Sequence, residues 1–196
     1  MSVLNVPVGY LPFLTHPDWT VRRRSGFLTP SFIVSSDLGF TPSIPYYQII
    51  DETSDVEFTT YKYQYRGLGV KSRYRKLWDK AELNATIYTA NVETYKKNRE
   101  LVGAVDATYA SRIGNGWNTK ANLRRASQDT FMRRYDFNDD TSLKSTISAT
   151  RTIDNRYYSI EASDRQSLLA SDKILNEPTV LPSIFYEKTE KGWRGN

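Results

Sequence analysis

Apolar and polar residues alternate with a period of two along most of this chain. Ala81, Leu83, Ala85 and Ile87 interleave with Glu82, Asn84 and Thr86. Successive side chains of a strand point to opposite faces, so the pattern predicts a sheet with one polar and one apolar face. The alternation returns in Leu101, Gly103, Val105, Ala107 and Tyr109 opposite Asp106 and Thr108. It recurs in Trp117, Thr119, Ala121 and Leu123 opposite Asn118, Lys120, Asn122 and Arg124. Leu143, Ser145, Ile147 and Ala149 stand opposite Lys144, Thr146, Ser148 and Thr150. Leu68, Val70 and Tyr74 opposite Lys71, Arg73 and Arg75 fit more loosely. Adding 26–34, 38–49, 56–65, 156–164 and 180–188 predicts about ten strands, many near the ~9–11 residues that cross a bilayer at a tilt. No helical period of comparable strength competes.

The first two predicted strands, adjacent in sequence, are each interrupted by proline. Pro30 interrupts Ser25-Gly26-Phe27-Leu28-Thr29-Pro30-Ser31-Phe32, and Pro45 interrupts Ser43-Ile44-Pro45-Tyr46-Tyr47. Proline has no amide hydrogen for a β-ladder and belongs at edges, strand starts or bulges. Two adjacent strands broken this way predict a weak seam.

The connections also alternate. Short ones fall at Ile50 to Asp55, Trp78-Asp79, Ile113-Gly114-Asn115-Gly116 and Ile153-Asp154-Asn155, and between them lie longer polar ones at 91–99, 128–140 and 165–179. In an up-and-down meander, alternate connections share one end of the sheet, and a short-turn end opposite a long-loop end is the asymmetry of outer-membrane barrels. Ser35-Ser36-Asp37 and Arg66-Gly67 depart from it, being brief at the long-loop end. The expected fold class is all-β, an antiparallel up-and-down meander of about ten strands forming part of a larger transmembrane β-barrel, open and incomplete. A soluble sandwich also alternates. Its core would here have to be filled by Ala, Gly, Thr and Ser among larger residues, a poor match to close packing.

Composition agrees. The 14 tyrosines, 4 tryptophans and 8 phenylalanines favour pleated surfaces. A mean hydropathy of -0.59, with no run near the ~18 apolar residues of a membrane helix, excludes a helical membrane protein. The absence of cysteine removes disulfides and thiolate chemistry. The net charge of +5 is modest, with both signs mixed along the chain. The start, Met1-Ser2-Val3-Leu4-Asn5-Val6-Pro7-Val8, lacks the basic and apolar regions of a secretory signal.

No residue set points to catalysis or to a cofactor. His16 is the only histidine and sits beside Pro17. Asp136-Phe137-Asn138-Asp139-Asp140 begins like a calcium loop, but Thr141 replaces the sixth-position glycine and Ile147 the twelfth-position glutamate, so no metal is expected. Gly114-Asn115-Gly116 reads as a hairpin turn with positive φ. Basic residues among aromatics at Tyr61-Lys62-Tyr63-Gln64-Tyr65-Arg66 and Arg73-Tyr74-Arg75 suit nucleic acid, or equally an aromatic girdle and polar lumen; the loop alternation favours the barrel, and no nucleic acid is expected.

Tyr10-Leu11-Pro12-Phe13, then Arg23-Arg24-Ser25-Gly26-Phe27-Leu28-Thr29-Pro30-Ser31-Phe32 and Ile44-Pro45-Tyr46-Tyr47, resemble the LptD family of lipopolysaccharide-assembly proteins, also called organic solvent tolerance proteins. Arg66-Gly67-Leu68, Gly116-Trp117 and Leu181-Pro182 resemble it in the same order. The resemblance is strong over 7–75 and looser afterwards. It implies an outer-membrane barrel preceded by a periplasmic jelly roll, with residues 1–20 as the exit from that domain and 21–196 as the start of the barrel. It implies lipopolysaccharide as cargo, outer-membrane lipid as surroundings, and as partners the lipoprotein plug LptE and a periplasmic Lpt bridge. Pro30 and Pro45 match the family's strand-breaking prolines at a lateral gate. Arg22, Arg23 and Arg24 would lie at the periplasmic mouth, as contacts for lipid A phosphates or as interfacial anchors. Most of the parent barrel is absent from such a chain, whose first strand then has no last strand to meet. The alternatives are a generic porin-like barrel and a soluble β-sandwich binding module.

Overall fold

A computed structural model describes residues 2–3, 6–7, 23–93, 99–169 and 180–189. β1 (Ser2–Val3) and β2 (Val6–Pro7) make a small antiparallel pair. The remaining strands form one open antiparallel sheet: β3 (Gly26–Phe27), β4 (Ser31–Ser35), β5 (Gly39–Asp51), β6 (Ser54–Tyr63), β7 (Gly67–Trp78), β8 (Ala81–Glu93), β9 (Arg99–Ile113), β10 (Trp117–Ala126), β11 (Ser142–Ile153), β12 (Arg156–Ser167) and β13 (Val180–Lys188). Each strand from β5 to β13 pairs with its neighbours in sequence, while β3 and β4 share the outer edge of β5. The sheet has eleven strands rather than ten because the single strand expected over 26–34 divides around Leu28–Pro30.

The register sorts the side chains. Ala85↔Ala107, Leu83↔Tyr109, Ala121↔Tyr109, Ala121↔Ile147 and Ile147↔Ala162 are cross-strand partners on one face. Thr59↔Lys71, Arg73↔Thr86, Thr86↔Asp106 and Asp106↔Arg124 are partners on the other. The apolar face stays open, with Phe58, Ile87, Leu101, Leu123, Ile147 and Ile184 all exposed. A contiguous apolar surface on this scale is foreign to soluble monomers and suits a hydrocarbon surround.

The buried cluster lies on the polar side, at the long-loop end. There the connection between β10 and β11 folds back over the sheet through a single-turn helix, α1 (Phe131–Arg134). It sets Phe131, Met132 and Tyr135 against Leu38, Tyr63, Ala90, Val102 and Ala104. Phe137 meets Tyr88 at 4.6 Å and Tyr61 at 5.6 Å between ring centroids. Polarity alone made 128–140 an ordinary loop; its apolar members fold inward because they are the only large apolar groups in it. At the opposite end, Asn115 and Gly116 adopt φ of 64° and 78°, the positive values that their residue types permit in a tight turn.

Candidate functional site

The first strand meets β5 in two registers. Gly26↔Tyr47 and Phe27↔Tyr46 pair at the short-turn end, and Ser31↔Ser43 through Ser35↔Gly39 pair at the long-loop end. Between them, the three residues Leu28, Thr29 and Pro30 oppose only Ile44 and Pro45, a step of one residue of the kind a β-bulge makes. Both predicted prolines therefore sit at one level of one seam. Leu28 N–H donates to the Pro45 carbonyl at 2.9 Å. In an antiparallel strand the N–H and C=O of one residue point the same way, so the donor missing from Pro45 faces the first strand. Pro30, in the gap, has none to give either.

Pro42 is a third interruption, which the sequence reading passed over. It is an odd number of residues from Pro45, so its missing donor faces β6. Pairing of β5 with β6 ends at Ser43↔Tyr61, while β5 continues along β4 as far as Gly39. Residues 31–42 thus form a two-stranded flap outside the β6 ladder, tied back where Tyr65 N–H donates to the Leu38 carbonyl at 3.3 Å. The signal was available: Thr41-Pro42-Ser43 lies in the run already marked by Pro45.

The flap is held by other means. Ser31 and Ser43 share a hydroxyl hydrogen bond of 2.7 Å across the seam. Phe27 meets Tyr46 edge-on at 5.0 Å, and Phe32 meets Phe40 at 5.7 Å. At the tip, Leu38 is buried in the cluster under α1. Gly39 there has φ +71°, and a Cβ on it would lie 2.6 Å from the Gln64 side chain, whose oxygen accepts from Phe40 N–H at 2.8 Å. Only glycine combines that backbone with that approach.

The turn end is clamped by charge. Arg23 donates to Asp55, to the Tyr47 hydroxyl at 2.6 Å and to the Glu52 carbonyl at 3.0 Å. Asp55 also accepts from Arg75 at 2.7 Å and from the Tyr47 hydroxyl at 3.1 Å, and its side chain is only 10% exposed. Of the three predicted cations, Arg23 is thus bound into the sheet, Arg24 is exposed beside it, and Arg22 lies outside the described residues, as does His16.

Across the polar face, Arg124 bridges the wall and the inward loop, reaching Asp106 at 3.1 Å and Asp140 at 2.6 Å. The hydrogen bond from Arg124 holds the Asp140 carboxyl below the usual carboxylate range, against a smaller opposing effect of burial. The acidic run Asp136–Asp140 is therefore a loop anchor: Asn138 accepts from Asp140 N–H at 2.7 Å and donates to its carboxylate at 2.9 Å. Among the described residues no His, Cys, Asp and Glu cluster is arranged for a metal.

Comparison with known proteins agrees with this geometry. The chain is 31% identical over 165 residues to the LPS-assembly protein LptD of Shewanella sp. strain ANA-3, covering 80% of this chain and 19% of that protein. The namesake in Shewanella oneidensis is 32% identical over 161 residues, with the same coverage. That of Pseudoalteromonas translucida is 28% identical over 193 residues, covering 96% of this chain and 25% of its own length. The chain thus spans about a fifth to a quarter of the length of these curated relatives. A family model described as LptD protein matches residues 1–185, and with an open antiparallel meander broken by prolines in its first two strands, the chain belongs to the LptD protein family.

Proposed function

We propose that this chain forms the gate-side wall of an outer-membrane barrel that inserts lipopolysaccharide into the outer leaflet. The observation that carries the reading is the coincidence of Pro30 and Pro45 at the one register step between the first strand and β5. Each absent donor removes a ladder bond worth roughly 0.5–1.5 kcal/mol net, and more where no water can substitute. An amphiphile too bulky to cross a closed wall needs a place where the wall parts, and a seam short of donors parts first.

Residues 1–20 are the exit from a preceding jelly-roll domain, and 21–196 the start of the barrel. The polar face lines the lumen and the apolar face meets lipid. The saccharide of the cargo passes the polar face, the LptE lipoprotein plugs the lumen, and the periplasmic Lpt bridge delivers from the short-turn end. Arg24, exposed at that rim, and Arg22 meet lipid A phosphates or anchor the interface, and Arg23 ties the segment beside Arg24 to the sheet. The work is positional and needs no covalent chemistry. A porin-like barrel shares the architecture but gives no reason for a proline-interrupted seam.

The test is Pro30→Ala with Pro45→Ala in the intact parent. Export of newly made lipopolysaccharide to the cell surface, measured by pulse labelling, slows. Export at the parental rate would remove the gating role from both prolines.

A further inference from the structure

The apolar face carries cations at both ends, and the two ends treat them differently. At the long-loop end, Arg125 of β10 is paired with Asp164 of β12, across the intervening β11. At the short-turn end, the cross-strand partners Ile113↔Trp117, Trp117↔Arg151, Arg151↔Tyr158 and Tyr158↔Tyr186 place one arginine in an otherwise apolar and aromatic row. The Arg151 guanidinium lies 5.7 Å from the Trp117 ring centroid, Trp117 is 6.5 Å from Tyr158, and Tyr158 is 5.1 Å from Tyr186. One step nearer the turn, Arg156 stands directly opposite Lys188.

Among the described residues, Arg151 and Arg156 have no carboxylate partner, and the Arg151 Nε is buried without a hydrogen-bond acceptor. The arginines Arg23, Arg75 and Arg124 of the polar face are all paired. A guanidinium on a lipid-facing surface is costly without an anion. We propose that Arg151 and Arg156, framed by Trp117, Tyr158 and Tyr186, bind the phosphate of a glycerophospholipid headgroup in the leaflet at the short-turn end. The depth follows from the aromatic row, since Trp and Tyr concentrate at the membrane–water boundary. The chemistry follows from the guanidinium fork, whose terminal nitrogens match phosphate oxygens. The occupant comes from the bilayer because the site opens on the apolar face. The site rests on the barrel reading above and adds a lipid partner on the side of the membrane opposite the cargo's destination.

The test folds the whole chain into dodecylmaltoside micelles and measures retained lipid by native mass spectrometry, with phosphatidylglycerol or a monoglucosyl diacylglycerol of the same chains. The phosphate-bearing lipid is retained about tenfold more than the phosphate-free one, the effect of a charge-assisted contact. Arg151→Gln with Arg156→Gln abolishes the preference, and Arg151→Lys lowers it by removing the fork but not the charge. Arg156→Gln alone, at an exposed position, lowers it with strand content by circular dichroism unchanged. Equal retention of the two lipids by the wild type, or a preference surviving the double variant, overturns the site and leaves the barrel standing. Where the lone chain gains no strand content in micelles, the same variants are read in the intact parent barrel, and equal retention of the two lipids there overturns the site.

Discussion

The wall formed by β8 and β9 and the seam formed by β3, β4 and β5 are built from the same kind of alternating sequence, yet they differ in continuity. Between β8 and β9 the register runs from Ala81↔Ser111 to Glu93↔Arg99 without a step. Along β5 it shifts by one residue at Pro30 and Pro45, and on its other side it stops at Ser43, beside Pro42. Neither β8 nor β9 contains a proline. The lesson is that strength in this sheet is distributed by backbone donors more than by side chains. The seam has aromatic pairs on its outer face and a serine pair across it, and still lacks the ladder that makes the wall continuous.

The largest expected effect comes from giving the wall the defect of the seam. Ala107 is paired on both sides, to Ala85 and to Leu123. Ala107→Pro removes a ladder donor and strands its acceptor at membrane depth, at a cost of several kcal/mol. It abolishes folding into micelles, read as loss of the strand signal in circular dichroism. Folding retained at the parental level would mean that ladder continuity does not distinguish the two regions.

A smaller effect comes from loosening the tip of the flap. Leu38 is 2% exposed, and Leu38→Ala costs about 2–5 kcal/mol of local packing. Protease cleavage between 31 and 42 accelerates while 99–113 stays protected. Equal sensitivity of both segments would show that the flap is not an independent unit.

The smallest concerns the inward loop, whose hold depends on pH. Asp140 has a carboxyl pKa lowered on folding, chiefly by Arg124, so its contribution is full at neutral pH and above the unfolded carboxylate value. It is lost as pH falls through the lowered folded value. Acid therefore raises cleavage within 127–141, and Asp140→Asn flattens that dependence. The same acid response in the variant would assign the loop's hold to its apolar contacts alone.

The strand plan was legible in the sequence because alternation is local: Ala81–Ile87 or Trp117–Arg124 can be read without knowing their neighbours. The resemblance was carried by short runs around Pro30 and Pro45. What alternation could not give was register. That Pro30 and Pro45 fall at one level depends on where the Ser35–Gly39 turn closes, and the split of the first strand follows from it. Arg23 looked like one of three equivalent cations, since its partners Tyr47 and Asp55 are 24 and 32 residues away. The loop at 128–140 read as polar because its few apolar residues have no period, and only the fold shows that they all turn to one side. Pro42 was readable and went unread, because the alternation around it continues unbroken.

Hydrogen exchange bears most directly on the claim that missing proline donors make this seam the place where the sheet parts. The whole chain in micelles is compared with the Pro30→Ala, Pro45→Ala variant, following 26–35 and 39–47 against 81–93 and 99–113. Restoring the donors slows exchange along the first strand and β5 by about two- to tenfold, as one regained ladder bond implies, and leaves β8 and β9 unchanged. Exchange along the seam that is the same in both proteins would contradict the account.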